Sequence, residues 1–298
     1  MAQKAITDPE TTPGFQELAA RHGLRATSAL PTLTAYVREL WNYRHFIASY
    51  ANARVSSSLG TTRIGRGWQL LTPLINAAVY YLIFGVLLDQ KRQIDNFVGY
   101  LCIGVFVFLF TQSTVSAGIS SISGNPGLIR ALPFPRACLP IAVTLTEVQH
   151  LIASMSVLVG IVLIFGEPVT VQWLLLPAVL LMQTLFNVGL ALTVARLGSE
   201  LIDLRQVVPF AMRFWMYGSA VIYPVTKFEK LLSGWQLAVV ETNPLLVYIE
   251  LVRHSLMEGV PLASSALRLW LTGLTWALVA GLGGLIYFWR GEKEYGRG

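Results

Sequence analysis

The feature that most constrains this chain is a set of long apolar runs, each near or beyond about twenty residues, that carry very little charge. The run from Phe97 to Gly118 carries none. Backbone placed in hydrocarbon must satisfy its own N–H and C=O groups, so runs of this length read as bilayer-crossing helices. Six spans are expected: Trp68 to Leu88, Phe97 to Gly118, Cys138 to Phe165, Trp173 to Ala195, Val207 to Val225 and Leu269 to Trp289. The Cys138 run is overlong and must tilt or protrude. Hydrophobic residues make up 54% of the chain and charged residues 13%, against about 25% charged in soluble domains. Mean hydropathy is +0.57. The expected class is therefore an all-α integral membrane protein.

The stretch from Ile119 to Pro140, ISSISGNPGLIRALPFPRACLP, is a polar island between two of these runs. It holds Arg130 and Arg136, no acidic residue, and four prolines. Asn125 followed by Pro126 reads as an N-cap and first helical residue, with the Asn side chain accepting free backbone N–H groups. Gly127 to Ala131 then forms a short helix, stopped by Pro133 and Pro135. One reading is a rigid basic knuckle on which a cytosolic partner pushes. The other is an ordinary basic loop obeying the positive-inside rule.

Residues 1–32 are polar, lack the apolar core of a signal peptide, and read as a flexible cytoplasmic tail. Residues 33–66 form an interface helix and linker, followed by a transmembrane domain over 67–298. Leu33, Tyr36, Val37, Leu40, Trp41, Ile47 and Ala51 recur at helical spacing up to about Arg54, which predicts an amphipathic helix. Trp41, Tyr43 and Tyr50 suit the headgroup zone and place it flat on the membrane. The alternative is packing on a soluble domain, and none follows.

Lys and Arg set the orientation. Arg54, Arg63 and Arg66 precede the first span, Arg130 and Arg136 follow the second, Arg196 and Arg205 the fourth, and Arg290, Lys293 and Arg297 the sixth. Both termini are expected in the cytoplasm of a multi-pass plasma-membrane protein. The net charge of +6 fits basic loops against anionic lipid rather than nucleic acid. Residues 226–268 form a longer outer segment, in which Trp235 to Val240 and Leu245 to Leu256 are too short to cross. They read as a re-entrant helical pair joined at Thr242 to Pro244. No internal repeat supports a transporter built from inverted halves.

The chemistry of catalysis is missing. No Gly-Lys pair provides a phosphate loop, and HExxH, GxSxG and zinc-spaced Cys/His sets are absent. The 2 cysteines, Cys102 and Cys138, lie in or beside apolar runs, and the 4 histidines are scattered. No cofactor is expected.

Within the spans, polar groups are costly and need a reason. Glu147 and His150 share a face of the third span, and Arg213 sits in the fifth. Interhelical bonding, with Glu147 pairing to Arg213, competes with a proton relay. Gln183 and Asn187, four apart on the fourth span, suit interhelical hydrogen bonds. Aromatics are stacked at helical spacing: Asn76, Tyr80 and Phe84 on the first span, and Phe210, Phe214 and Tyr217 on the fifth. Such faces could pass a sugar polymer without fixed register, or could serve as lipid-facing belts.

The order of these features resembles the permease subunit of ABC-2 type exporters, in particular the polysaccharide and teichoic acid group that includes Wzm. The resemblance is carried by ARVSSSLGTTRIGRGWQLLTPL (53–74), GNPGLIRALPFPRACLP (124–140) and LRQVVPFAMRFWMYGSAVIYPV (204–225), with a weaker match at ETNPLLVYIELVRHSLMEG (241–259). The family's Arg-Asp after the fourth span is replaced by Ser199-Glu200 and Ile202-Asp203, so no role passes to those acids. The N-terminal tail and the Ala- and Leu-rich composition are similar to the mycobacterial exporters of lipid-linked galactan.

The resemblance implies a homodimer with two separate nucleotide-binding subunits, which would bind the ATP and magnesium. It implies that Asn125, Leu128, Ile129 and Arg130 contact that ATPase, with the surface helix and its Tyr36 and Arg38 as a second contact. Family substrates are polyprenyl-diphosphate-linked glycans. Arg54, Arg63 and Arg66 would meet the diphosphate at the cytoplasmic entrance, or else screen anionic lipid. A permease for a smaller lipid or drug, and a membrane-embedded glycosyl- or acyltransferase, are the alternatives.

Overall fold

A computed structural model of the chain describes residues 31–60, 67–87, 96–201 and 203–292. All regular structure among these residues is helical. In chain order the α-helices are α1 (Leu33–Asn42), α2 (Arg44–Gly60), α3 (Gly67–Tyr80), α4 (Phe97–Ile119), α5 (Pro126–Ala131), α6 (Cys138–Ile164) and α7 (Leu176–Glu200). They continue with α8 (Leu204–Tyr217), α9 (Thr226–Leu231), α10 (Trp235–Glu241), α11 (Pro244–Leu256) and α12 (Ala266–Arg290). A π-helical stretch, Tyr81–Leu87, extends α3, and a 3-10 turn, Val171–Leu175, leads into α7.

Among the described residues, four helices are long and apolar enough to cross a membrane: Phe97–Ile119, Cys138–Ile164, Val171–Glu200 and Ala266–Arg290. The first expected span is α3 with its wider-wound extension, of which Leu71–Ile83 forms a shorter apolar helix. The stretch expected as the fifth span folds as a helix of 14 residues, shorter than a crossing needs. Instead of running from Val207 to Val225, α8 begins at Leu204 and stops at Tyr217, capped by Gly218. The chain turns there and passes through Ala220 at φ 49°, a left-handed conformation uncommon for a residue with a side chain.

The apolar all-round sequence of α4 makes it the central helix, because a helix without a polar face must be surrounded. Seventeen of its residues are buried. The helices around it bury one stripe each, such as Leu151, Met155, Leu158 and Val162 of α6. Along α12 the buried stripe is mostly small: Gly273, Ala277, Gly281 and Gly284. This lets α12 lie against α7 almost backbone to backbone. A Cβ on Gly189 would sit 2.0 Å from the Ala280 carbonyl oxygen, and one on Gly284 would sit 2.2 Å from that of Gly189. Close approach of this kind replaces the hydrophobic drive that lipid cannot supply. The interhelical bonding expected of Gln183 and Asn187 is made by Gln183 alone, with Nε2 donating to the Val107 carbonyl at 2.8 Å and to Thr111 Oγ1 at 3.1 Å, while the buried Asn187 amide has no hydrogen-bond partner among the described residues.

The expected single surface helix is two. It breaks at Tyr43 and runs past Arg54 to Gly60. Its apolar face buries Tyr36, Leu40, Ile47 and Ala51 against Ile122, Ala137 to Leu139 and Phe288, forming a second core distinct from that around α4.

The outer segment folds as α9, α10 and α11, with the last two meeting at Thr242 and Asn243. Asn243 closes this corner with every polar atom it has. Its Oδ1 accepts from the Leu245 N–H and Trp215 Nε1, and its Nδ2 donates to the Gly218 carbonyl and Ser219 Oγ. Pro244 follows as the first helical residue, where its missing N–H costs nothing.

Candidate functional site

The polar island folds into α5, a basic helix of six residues started by Pro126 and ended before Pro133. The expected capping role of Asn125 is not what its side chain does. Asn125 makes no side-chain cap bond. It accepts from Tyr50 Oη at 2.9 Å and donates to the Ser121 carbonyl at 2.8 Å. The amide thus ties α5 to α2, a use that helix-start rules do not anticipate.

Two more contacts from α2 and its approach brace the far end of the island. Tyr43 Oη donates to the Pro133 carbonyl at 2.9 Å, and the rings of Phe46 and Phe134 lie 5.1 Å apart. Phe46 in turn stacks on Tyr50 at 6.0 Å. Leu128 and Ile129 are half-buried against this second core, while Pro126, Gly127, Arg130, Ala131 and Leu132 are exposed. A short helix alone would not hold its shape. This one is clamped from two sides and presents a compact basic face.

Tyr36 requires a correction. It is 1% exposed and so cannot offer a docking surface. Its hydroxyl donates to Glu292 Oε2 at 2.7 Å and accepts from the Ala137 N–H at 3.4 Å. Glu292 Oε1 also accepts from the Arg136 N–H at 2.9 Å, and the Arg136 guanidinium donates to the Glu292 carbonyl. Glu292 therefore joins three segments: α1, the exit of the polar island and the end of α12. Burial pushes the Glu292 carboxyl above the usual carboxylate range, only partly offset by its donors at Arg136 and Tyr36. Burial and the neighbouring Glu292 likewise raise the Tyr36 phenol. Arg38, in contrast, is exposed on α1.

Glu147 and His150 do share a face, with Oε2 and Nδ1 3.6 Å apart. The expected pair between Glu147 and Arg213 is not formed. Arg213 is exposed on α8 and lies over the Phe210 ring at 5.8 Å. The central helix α4 packs against both α6 and α8 and takes the place between them. Phe210, Phe214 and Tyr217 all stand on the outside of α8, with Phe214 78% exposed. Asn76 lines a cavity between α3, α4 and α6. Because α3 packs chiefly on α4 and α6, and α8 on α4 and α7, the two expected aromatic faces do not form one wall within a single chain. The side chains of Tyr80 and Phe84 lie outside the described residues, as do Arg63 and Arg66. Arg54 is half-buried near the end of α2.

One buried ion pair was not anticipated. Arg253 and Glu250 are fully buried on α11, 3.1 Å apart. The guanidinium also donates to the carbonyls of Ala220, Val221 and Tyr100 and lies 3.4 Å above the Tyr100 ring. It fixes the turn after α8 against α4. A Cβ on Gly104 would sit 2.3 Å from the Val221 carbonyl oxygen, so only glycine admits this approach. The available signal was the i, i+3 spacing of Glu250 and Arg253, which places them on one helical face.

These features can be set beside known proteins. The ABC-2 type transporter family matches residues 51–257, from the surface helix through α11. An O-antigen export system permease protein RfbA of Myxococcus xanthus is 26% identical over 193 residues, covering 65% of this chain and 74% of that protein. One from Klebsiella pneumoniae is 24% identical over 213 residues, covering 71% and 80%. The match spans the central helix, the clamped polar island and the buried outer corner alike, and the chain belongs to the ABC-2 type transporter family as a membrane permease rather than an enzyme.

Proposed function

We propose that this permease works as a homodimer with two copies of a separate ATPase subunit and exports a polyprenyl-diphosphate-linked glycan. Transport runs from the cytoplasm to the outer face of the plasma membrane. The observation that carries this reading is the clamped helix α5. A basic helix too short to stand alone is held by Tyr43, Phe46 and Tyr50, as required of a lever that must transmit force rather than bend. Arg130 is the charge it presents, with Asn125, Leu128 and Ile129 holding the lever to its mount. Arg38 adds a second contact from α1. ATP and magnesium chemistry belongs to the partner, and both termini lie on the partner's side.

The similarity to O-antigen export permeases supports a glycan as the substrate class, and a galactan is the finer assignment proposed. The exposed ring stripe of Phe210, Phe214 and Tyr217 suits a wall completed by a second copy, with the face of Asn76, Tyr80 and Phe84 opposite. Arg54, Arg63 and Arg66 would meet the diphosphate. The first span, the short α8 and the re-entrant α10 and α11 complete a six-span unit.

The test is reconstitution of the permease with its ATPase in vesicles bearing a polyprenyl-diphosphate-linked galactan. ATP-dependent protection of the glycan from an external glycosidase is the expected result. Export of short-chain lipids without movement of the glycan would replace this reading with a smaller-lipid permease.

A further inference from the structure

A cavity of about 300 Å³ lies between α3, α4 and α6, apart from the exposed rings of α8. Its walls include Trp68 and Asn76 from α3, Phe110 and Ser113 from α4, and Glu147 and His150 from α6. That volume is at the small end of the roughly 300–1,000 Å³ usual for ligand pockets, enough for one ring and not for a polymer.

The polar groups here are poorly used by the protein itself. Glu147 and His150 approach only to 3.6 Å, longer than a hydrogen bond. His150 Nε2 is buried with no partner among the described residues. Buried polar atoms left unpaired are rare and ask for an explanation.

The chemistry of the lining narrows the ligand. A phosphate would meet the Glu147 carboxylate, and among the described residues no Lys or Arg lines the cavity to offset it. An acyl chain would fill the apolar wall but leave Glu147, His150, Asn76 and Ser113 unsatisfied. A neutral ring carrying several hydroxyls suits both. Its hydroxyls can donate to the carboxylate and to His150 and bond with the amide and serine, while its C–H face lies on Trp68 or Phe110. We propose that this cavity binds one sugar ring of the exported glycan, with Glu147 and His150 as the groups that recognise its hydroxyls. The proposal rests on the glycan reading above and adds a subsite within one protomer.

The test is photo-crosslinking of the intact permease and ATPase complex in nanodiscs, using a diazirine-bearing octyl galactoside. Label is expected on peptides containing Trp68 to Asn76 and Glu147 to Ser154. A polyprenyl-diphosphate-linked oligosaccharide should displace it, and a non-sugar detergent of equal chain length should not. Glu147→Gln should raise the displacing concentration about tenfold and Ser113→Ala about threefold, while Ile152→Ala, an exposed residue of α6 outside the lining, should leave it unchanged. Both Glu147→Gln and Ser113→Ala are near-isosteric, and either one tests the site should the other fail to fold. Equal displacement by the non-sugar detergent, displacement by a diacyl glycolipid alone, or no effect of either variant would overturn the proposal. Arg130→Glu keeps the two readings apart. Loss of export with labelling intact leaves the subsite standing, and export without sugar-specific labelling removes the subsite alone.

Discussion

Tyr36→Phe isolates the bond between the surface helix and the end of α12. The substitution keeps the ring in the second core and deletes one hydroxyl, so its cost is that of the hydrogen bond to Glu292 at 2.7 Å and the weaker one from Ala137 at 3.4 Å. A hydrogen bond to a charged group is worth about 1.5–3 kcal/mol, and taking about 2 kcal/mol for the part-buried bond to Glu292 gives a roughly 30-fold rise in the opening equilibrium of α1. Hydrogen exchange on the intact complex reads this directly. Amides of α1 should exchange about 30-fold faster, together with those of Arg136 and Ala137, while amides of α4 keep their protection. Unchanged exchange in α1 would mean that apolar burial of Leu40, Ile47 and Ala51 holds the helix unaided, and the reasoning about Glu292 would be wrong. Glu292→Gln, which retains an acceptor, should fall between the two.

The same group sets a pH dependence. Its carboxyl titrates above the usual range when folded, because burial disfavours the charge. The folded state then holds the proton more tightly than the unfolded one, so this contribution is complete below the ordinary carboxylate range and is lost as pH rises through the raised folded value. The protection factor of α1 amides, which removes the intrinsic rise of exchange with pH, should fall over that window in the wild type and stay flat in Glu292→Gln. Gly284→Ala forces its Cβ to within 2.2 Å of the Gly189 carbonyl oxygen and should cost at least about 1–3 kcal/mol in thermal stability, whereas Gly283→Ala, which meets nothing within 4 Å, should cost under about 0.5 kcal/mol. Arg253→Met leaves Glu250 buried and unpaired, a loss of about 3–5 kcal/mol, and adding Glu250→Gln should restore part of it. Arg130→Glu should abolish recovery of the ATPase with the permease while leaving membrane insertion unchanged. A normal yield of assembled complex would dismiss α5 as the lever.

The apolar runs alone determined the helical class, and the prolines at 126, 133 and 244 placed the starts of α5 and α11 and the stop of α5. These are local effects: a chain in lipid has no other way to satisfy its backbone, and proline acts on its immediate neighbours. The packing of α7 on α12 was half legible, since small residues at helical spacing announce a close contact without naming its partner.

Only the tertiary structure decided the rest. Tyr36 lies on the same amphipathic face whether it meets a partner or its own chain, and burial against Glu292, 256 positions away, settled the matter. Asn125 was claimed by Tyr50 across 75 positions instead of by its own helix. Arg213 and Glu147 were kept apart because α4 packs between their helices. Periodicity tells which face of a helix is apolar, but it carries no information about which distant segment comes to cover that face. For this chain, that choice made the difference between a docking residue and a clamp.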